Sequence, residues 1–173
     1  MRKYLFCLGL FLIAVSFTQA QTIPNHSLGL RFGDNGGVGP ELSYQQAITE
    51  SKRYQVDLGW KSRRIDQGRQ RLFKLSGGYQ WVRVLDGKFQ YYYGTGAGLL
   101  YQKYRNEANI NYSNQETSTN LILSGILGVE FTGIEITYGY PILLGLDIRP
   151  EYGLGGYYDT FIFDVALVLR FSF

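Results

Sequence analysis

The stretch FIFDVALVLRFSF, residues 161–173, decides the fold of this 173-residue chain. Side chains of a β-strand point alternately to two faces, so the stretch divides into two sets. One face carries Phe161, Phe163, Val165, Leu167, Leu169, Phe171 and Phe173, and the other carries Ile162, Asp164, Ala166, Val168, Arg170 and Ser172. A strand this long with a wholly apolar face is unusual in a soluble sheet but suits a tilted transmembrane strand of about 9–11 residues with short extensions. The stretch therefore predicts a strand that crosses a lipid bilayer.

The same alternation recurs along the rest of the chain. Seven earlier segments between residues 28 and 149 set apolar or aromatic residues against glycine, polar or charged residues. Asp86-Gly87 is a strong hairpin signal, and DNGG at residues 34–37 predicts another turn, because these residues tolerate positive φ. No helical periodicity and no second domain appear after residue 20. We therefore predict an all-β, eight-stranded antiparallel up-and-down transmembrane β-barrel over residues 27–173, with residues 133–140 either a turn or a strand extension.

Alternating hydrophobic residues that end on a phenylalanine resemble the closing strand of small Gram-negative outer-membrane β-barrels, here of the OmpX and OmpA transmembrane-domain type and Bacteroidota-like. The resemblance implies a monomer in the cell outer membrane, in contact with its lipid and lipopolysaccharide. It also implies that Phe171 and Phe173 form the assembly signal read by the barrel assembly machinery, to which periplasmic chaperones deliver the chain. The chain ends at its last predicted strand, so no peptidoglycan-binding domain is expected.

The first twenty residues have the features of a signal peptide. Arg2 and Lys3 precede an apolar run, residues 4–15, that is too short to cross a bilayer as a helix. Thr18 and Ala20 provide the small residues that signal peptidase requires. The sequence thus predicts a cleaved segment 1–20, Sec-type export, and a mature barrel domain of residues 21–173; an uncleaved anchor helix is the alternative.

Composition narrows the classes of function. Lys and Arg total 17 against 14 Asp and Glu, a balance that does not favour nucleic-acid binding. The single cysteine, Cys7, lies in the predicted signal peptide, so thiol chemistry and disulfides are excluded from the mature domain. The mean hydropathy of −0.13 does not argue against a membrane barrel, because every second strand residue faces the lumen.

The non-apolar strand faces indicate which side of the barrel meets lipid. A soluble, lipocalin-like barrel would turn the apolar faces inward and cover its outside with Lys, Glu and Thr. Here the non-apolar faces hold glycines among charges of both signs: Gly29, Gly33, Gly59, Gly78, Gly94, Gly96, Gly98, Gly128 and Gly145. The interior of an eight-stranded barrel is just wide enough for side chains to fill, so small residues belong there. The apolar faces, rich in Tyr, Trp and Phe, are therefore expected to face lipid.

The same phase assigns ten charged residues to the lumen. They are Arg31, Glu41, Asp57, Lys61, Lys74, Glu130, Asp147, Arg149, Asp164 and Arg170. Five are cations and five are anions, so the lumen has no single-sign field of the kind that lines selective pores. Buried opposite charges pair, because a lone buried charge is costly. We expect a structural network in which Asp147, Asp164 and Arg170 join Arg31 or Arg149 to tie the closing strands together.

Other candidates for chemistry have simpler interpretations. The run GTGAG at residues 94–98 resembles a phosphate-binding loop, but it lies inside a strand rather than before a helix, so lumen packing is favoured. The only histidine, His26, is predicted to precede the first strand, away from the Ser and His constellation of outer-membrane lipid hydrolases. Asp147, Glu151 and Asp164 are expected to be structural rather than catalytic carboxylates. No enzyme activity, metal site or cofactor is expected.

Arg63, Arg64, Arg69 and Arg71 form a basic segment, predicted as an outer loop. Guanidinium groups bind phosphate bidentately, so this segment is a candidate lipopolysaccharide contact, against the alternative of a solvated loop. The predicted function is a non-enzymatic outer-membrane barrel with a structural, envelope-integrity or loop-mediated adhesion role. The alternatives are a narrow pore for small solutes and a lipid-modifying enzyme.

Overall fold

The protein is described here from a computed structural model that covers residues 23–33, 38–65, 68–106, 115–135, 141–154 and 161–173. The predicted signal peptide and residues 136–140 lie outside these ranges. Eight strands make up the described chain: β1 His26–Gly33, β2 Pro40–Thr49, β3 Lys52–Ile65, β4 Gly68–Asp86, β5 Phe89–Asn106, β6 Gln115–Glu135, β7 Pro141–Leu154 and β8 Phe161–Ser172. The described residues contain no helix long and apolar enough to cross a membrane.

Each strand pairs antiparallel with the next, and β8 returns to pair with β1, so the sheet closes on itself. The closing pair, which we call the seam, runs from Ser27 opposite Ser172 to Gly33 opposite Ala166. Beyond it, the amide of His26 donates to the carbonyl of Phe173 at 3.2 Å, and the Phe173 amide donates back at 2.9 Å. The prediction of a closed eight-stranded antiparallel barrel is confirmed.

The barrel has an inside-out distribution of polarity. Large apolar side chains face outward; Leu167 exposes 65% of its surface and Trp60 62%. Among the described residues, eleven charged side chains are buried inside; Arg31 and Arg170 expose 0%. Water would leave the apolar exterior uncovered, whereas lipid hydrocarbon covers it, and closure leaves no unpaired strand edge in the hydrocarbon. The strand faces that alternation predicted to meet lipid are therefore the faces that point outward in the structure.

Two apolar clusters lie inside the barrel, and one of them is interleaved with the charged residues through Tyr92. Toward the end that carries the connections after β1, β3, β5 and β7, which we call the loop end, Val38 packs with Leu72, Leu100 and Ile122. Toward the terminal end, where His26 and Phe173 lie, the cluster consists of Ile23, Val82, Tyr92 and Ile126. Ile122 and Ile126 interrupt the polar phase of β6 because they belong to these clusters. Each cluster includes one residue from outside the strands, Val38 or Ile23, that folds against the barrel interior.

Glycine permits the closest backbone approach at the seam. A Cβ atom on Gly29 would overlap the carbonyl oxygen of Leu169 and lie 2.5 Å from the Cα atom of Arg170. Backbone cannot move aside as a flexible side chain can, so β1 and β8 reach this separation only with glycine at position 29. On the outer face of β4, by contrast, a Cβ atom on Gly77 would meet nothing nearer than 3.9 Å.

Three local predictions were wrong. His26 is the first residue of β1 rather than part of a preceding lead. The seventh predicted segment ended at residue 149, since proline is expected only near a strand end, whereas β7 continues through Pro150 to Leu154. A proline has no N–H to donate, and Gly125 makes room for its ring: a Cβ atom there would lie 3.0 Å from Pro150 Cγ.

The third wrong prediction concerns the basic segment. It is not one long loop, since β3 continues to Ile65, β4 begins at Gly68, and Arg64 pairs with Arg69 across the two strands. The arginines therefore sit on a β-hairpin, on faces fixed by strand alternation.

Candidate functional site

The lumen of the barrel holds a network of buried charges, and Arg31 on β1 is one of its two centres. Its Nη1 donates to Asp164 Oδ2 at 2.6 Å and to Glu41 Oε2 at 3.0 Å. Its Nη2 and Nε donate to Asp147 Oδ1 at 3.0 and 3.3 Å. One guanidinium therefore connects β1 to β2, β7 and β8, and spans the seam.

Glu130 on β6 is the second centre. Arg53 binds it through two nitrogens, at 2.8 and 3.0 Å, in the bidentate geometry that favours arginine over lysine. Arg170 Nη1 donates to Oε1 at 2.8 Å, and the Gln90 amide donates to Oε2 at 2.7 Å. Arg170 also donates to Ser43 Oγ. Residues on β3, β5 and β8 thus meet around one carboxylate on β6, and Arg170 links β2 to them through Ser43.

Two further ion pairs bridge opposite walls. Arg149 on β7 donates to Asp57 on β3 at 2.7 Å and to Asp147 on its own strand at 2.9 Å. Lys74 on β4 donates to Glu151 on β7 at 2.7 Å and lies 3.7 Å from a Glu41 oxygen. The cross-barrel distances show that these side chains span the interior rather than line its wall.

Amide side chains link the charged centres. Gln45 donates to Gln55 at 2.9 Å, Gln80 donates to the same oxygen at 2.6 Å, and Gln55 donates to Asp57 at 2.9 Å. Gln80 in turn accepts from Arg53 Nε at 2.6 Å. The polar contacts therefore form a connected structure from Asp57 to Glu130. A connected network leaves few buried groups without a partner, which is what makes buried charges tolerable.

Nine of the ten predicted lumen residues are buried in this network. Lys61 is the exception: it lies on the inward row of β3 near the loop end but stays partly exposed. Two residues were missing from the predicted set, Arg53 and Glu151, and both are buried. Strand alternation would have found Arg53, which lies two residues before Gln55 in the same inward phase, had the predicted strand begun at Lys52.

The predicted partnerships differ in one respect. Asp147 and Asp164 both bind Arg31, whereas Arg170 reaches across the lumen to Glu130 instead of joining them. Among the described residues, the buried set contains five cations and six carboxylates, and the Oδ1 atom of Asp164 has no hydrogen-bond partner. The structural role of the whole set remains a prediction.

The chemistry of the lumen favours mutual neutralisation. Its buried carboxylates bind arginine or lysine, and within the described chain no three His, Cys, Asp or Glu side chains form a group that could hold a metal ion. The aromatic ring of Tyr92 lies under the Arg53 guanidinium, 4.6 Å from ring centroid to Cζ, and its hydroxyl donates to Asp147 at 3.2 Å. Polar and aromatic groups therefore reinforce the same cross-barrel contacts.

His26 lies at the terminal end of the seam. Its ring contacts the Tyr44 hydroxyl at 2.9 Å and stacks on Phe173, with ring centroids 5.7 Å apart. This places the only histidine in an aromatic cluster that includes one of the two predicted assembly-signal residues. The other, Phe171, is 47% exposed on the outward face and pairs with Leu28.

The four arginines of the basic segment divide between faces. Arg63 faces the barrel mouth, where its Nε donates to Gln70 at 2.6 Å. Arg64, Arg69 and Arg71 lie on the outward rows, above the apolar exterior. The structure thus brings three of the four predicted contacts to one outer surface.

No protein-family model matches the chain, and a search of curated protein sequences finds no match. Solved structures do resemble it. The N-terminal β-barrel domain of Pseudomonas aeruginosa OprF aligns with a TM-score of 0.53 and 18% identity, over 87% of this chain and 98% of that domain. Neisserial surface protein A, NspA, aligns with a TM-score of 0.52 and 13% identity, over 86% of this chain and 94% of its own. The fold is that of the small eight-stranded outer-membrane β-barrels.

Proposed function

We propose that this protein is an integral outer-membrane protein whose closed barrel anchors and presents its loops, in a structural, envelope-integrity or adhesive role. The observation that carries the proposal is the set of charge pairs that cross the lumen. Arg53 and Arg170 meet at Glu130, and Arg31 binds three carboxylates on three other strands. An interior occupied in this way serves the stability of a membrane anchor better than the passage of a solute.

The location follows from the exterior. Each of the eight strands has a run of apolar residues on its outward face, and in the hydrocarbon of a membrane only helices and closed barrels satisfy their backbone polar groups. Cleavage before Gln21, export to the periplasm, delivery by chaperones and insertion as a monomer complete the proposal.

A narrow pore for small solutes is the competing function. A pore selective for a charged solute requires a field of one sign, whereas the lumen has paired charges of both signs together with two apolar clusters. A lipid-modifying enzyme has less support, because the only histidine is engaged with Tyr44 and Phe173 at the terminal end.

Fractionation and gel mobility test the location. We expect the protein in the outer-membrane fraction, and we expect the unheated barrel to migrate differently from the boiled chain, because a closed barrel resists unfolding in detergent. Recovery in the soluble periplasmic fraction with no heat-dependent shift would contradict the proposal. Vesicles that contain the purified protein are expected to show no more swelling in small sugars than protein-free vesicles; faster swelling would favour the pore.

A further inference from the structure

The outer surface near the loop end carries two rows of cations on β3, β4 and β5. In one row Arg71 pairs with Lys103, and in the next row Arg69 pairs with Arg64 on one side and Arg105 on the other. The remaining members of these rows that pair with them are Ser62, Thr117 and Gln115. No carboxylate occurs in these two rows, so neighbouring strands place five positive charges on one side of the barrel. We call these five residues the basic patch.

An aromatic row lies directly below the basic patch. Trp60, Phe73 and Tyr101 are adjacent across β3, β4 and β5, and all three are exposed. Aromatic residues of this kind mark the level of the membrane interface. The basic patch therefore lies at the height of lipid headgroups, immediately outside the hydrocarbon.

Below the aromatic row, these strands and β6 form an apolar groove. It is lined by Val56, Leu75, Gly77, Ala97, Leu99 and Leu121. Its floor is the small pair Gly77 and Ala97, which face each other across β4 and β5. The groove continues downward from the cations on the same wall of the barrel.

The depth of the groove matches one leaflet. Six residues separate Arg71 from Gly77, which is about 20 Å along a strand at roughly 3.3 Å per residue. A strand tilt of about 40° reduces this to about 15 Å along the membrane normal, half of a hydrocarbon core of about 30 Å. Gly77 also lies midway between the aromatic residues Phe73 and Trp81 on β4. The groove thus reaches the depth at which the acyl chains of one leaflet end.

From this arrangement we infer that the outer wall of β3–β5 is a binding site for a phosphorylated, multiply acylated glycolipid of the outer leaflet, the lipid A part of lipopolysaccharide. Its phosphates bind the basic patch, since arginine and lysine attract anionic lipid headgroups. One of its acyl chains lies in the groove above Gly77. Charge complementarity selects the headgroup, and the groove selects an acylated ligand over free phosphate. The site rests on the proposed outer-membrane location and adds a specific lipid partner to it.

The test is native mass spectrometry of the folded, purified barrel in detergent, titrated with bisphosphorylated lipid A. The variant Arg71→Gln/Lys103→Gln/Arg105→Gln is expected to bind at least about tenfold more weakly, since three exposed charge pairs are removed. The control Arg83→Gln/Lys88→Gln removes two exposed cations near the terminal end instead and is expected to bind within about twofold of the parent.

A second variant tests the groove. Gly77→Leu fills the floor, and because a Cβ atom there meets nothing nearer than 3.9 Å the barrel is expected to fold normally. We expect it to weaken lipid A binding by about threefold or more while leaving the basic patch intact. Lipid A without its phosphates is expected to bind weakly to the parent, and inorganic phosphate is expected not to displace lipid A.

Several results would overturn the inference: equal binding by all variants, equal binding of phosphatidylglycerol and lipid A, or displacement by inorganic phosphate. The heat-dependent gel shift, measured on the same samples, separates this inference from the proposed function. A barrel that shifts normally but does not retain lipid A refutes the lipid site alone, whereas a parent protein without the shift refutes the membrane barrel itself.

Discussion

Removing Arg31 is the most informative perturbation of the lumen. Arg31→Met keeps much of the side-chain volume but removes four hydrogen bonds, to Asp147, Asp164 and Glu41. Their separate values cannot be summed, because the bonds share one guanidinium. The better measure is the cost of breaking a buried ion pair by removing one partner, about 3–5 kcal/mol, since three carboxylates would remain buried around the gap. We expect a loss of unfolding free energy in this range.

The assay is urea unfolding of the barrel in lipid vesicles, followed by tryptophan fluorescence and by the heat-dependent gel shift. Arg83→Met, which removes an exposed arginine outside the lumen, is the control and should change the unfolding free energy by less than about 0.5 kcal/mol. Adding Asp164→Asn to Arg31→Met should recover part of the loss, because it removes one stranded charge. A loss below about 1 kcal/mol for Arg31→Met, or no recovery in the double variant, would refute the reasoning that the network is a mutually neutralised set.

Three further predictions concern single positions. Gly29→Ala should lower the unfolding free energy by about 1–3 kcal/mol through overpacking at the seam, whereas Gly77→Ala should be nearly neutral; equal effects in vesicle unfolding would contradict the close-approach argument. Phe173→Ala should reduce the yield of inserted barrel in cells while costing the inserted barrel only about 1–3 kcal/mol, and normal yield would count against an assembly signal. Tyr92→Phe removes the hydrogen bond to Asp147 but keeps the ring, and should cost about 1 kcal/mol in the same unfolding assay; no change would mean that the hydroxyl contributes nothing.

Strand alternation predicted the barrel well because a repeat of two residues is visible in the sequence of each strand by itself. Each of β1 to β8 shows its inward and outward faces in its own residues, and the lipid-facing choice followed from the glycines on the other face. Strand ends were less predictable. β3 and β4 extend into a basic hairpin whose local composition resembles that of a loop. β7 continues through Pro150 because Gly125, on another strand, accommodates the ring.

The lumen partnerships depend on distances that a linear pattern does not contain. Alternation identified Arg170 as an inward residue, but its reach to Glu130 depends on the width of the barrel and on which side chains occupy the space between. The same holds for Ile122 and Ile126, which appear as interruptions of a polar face until the clusters around Val38 and Tyr92 are assembled. The basic patch likewise required the register of three strands, which places Lys103 and Arg105 beside Arg71 and Arg69.

Ion conductance of the unmodified protein in planar lipid bilayers tests the central claim most directly, because it reports whether the cross-lumen pairs leave a path for ions. The structure predicts conductance indistinguishable from that of the bare bilayer after insertion has been verified by the heat-dependent gel shift. Stable, open single-channel currents from the inserted protein would contradict a closed lumen and would make a narrow pore the better account of its function.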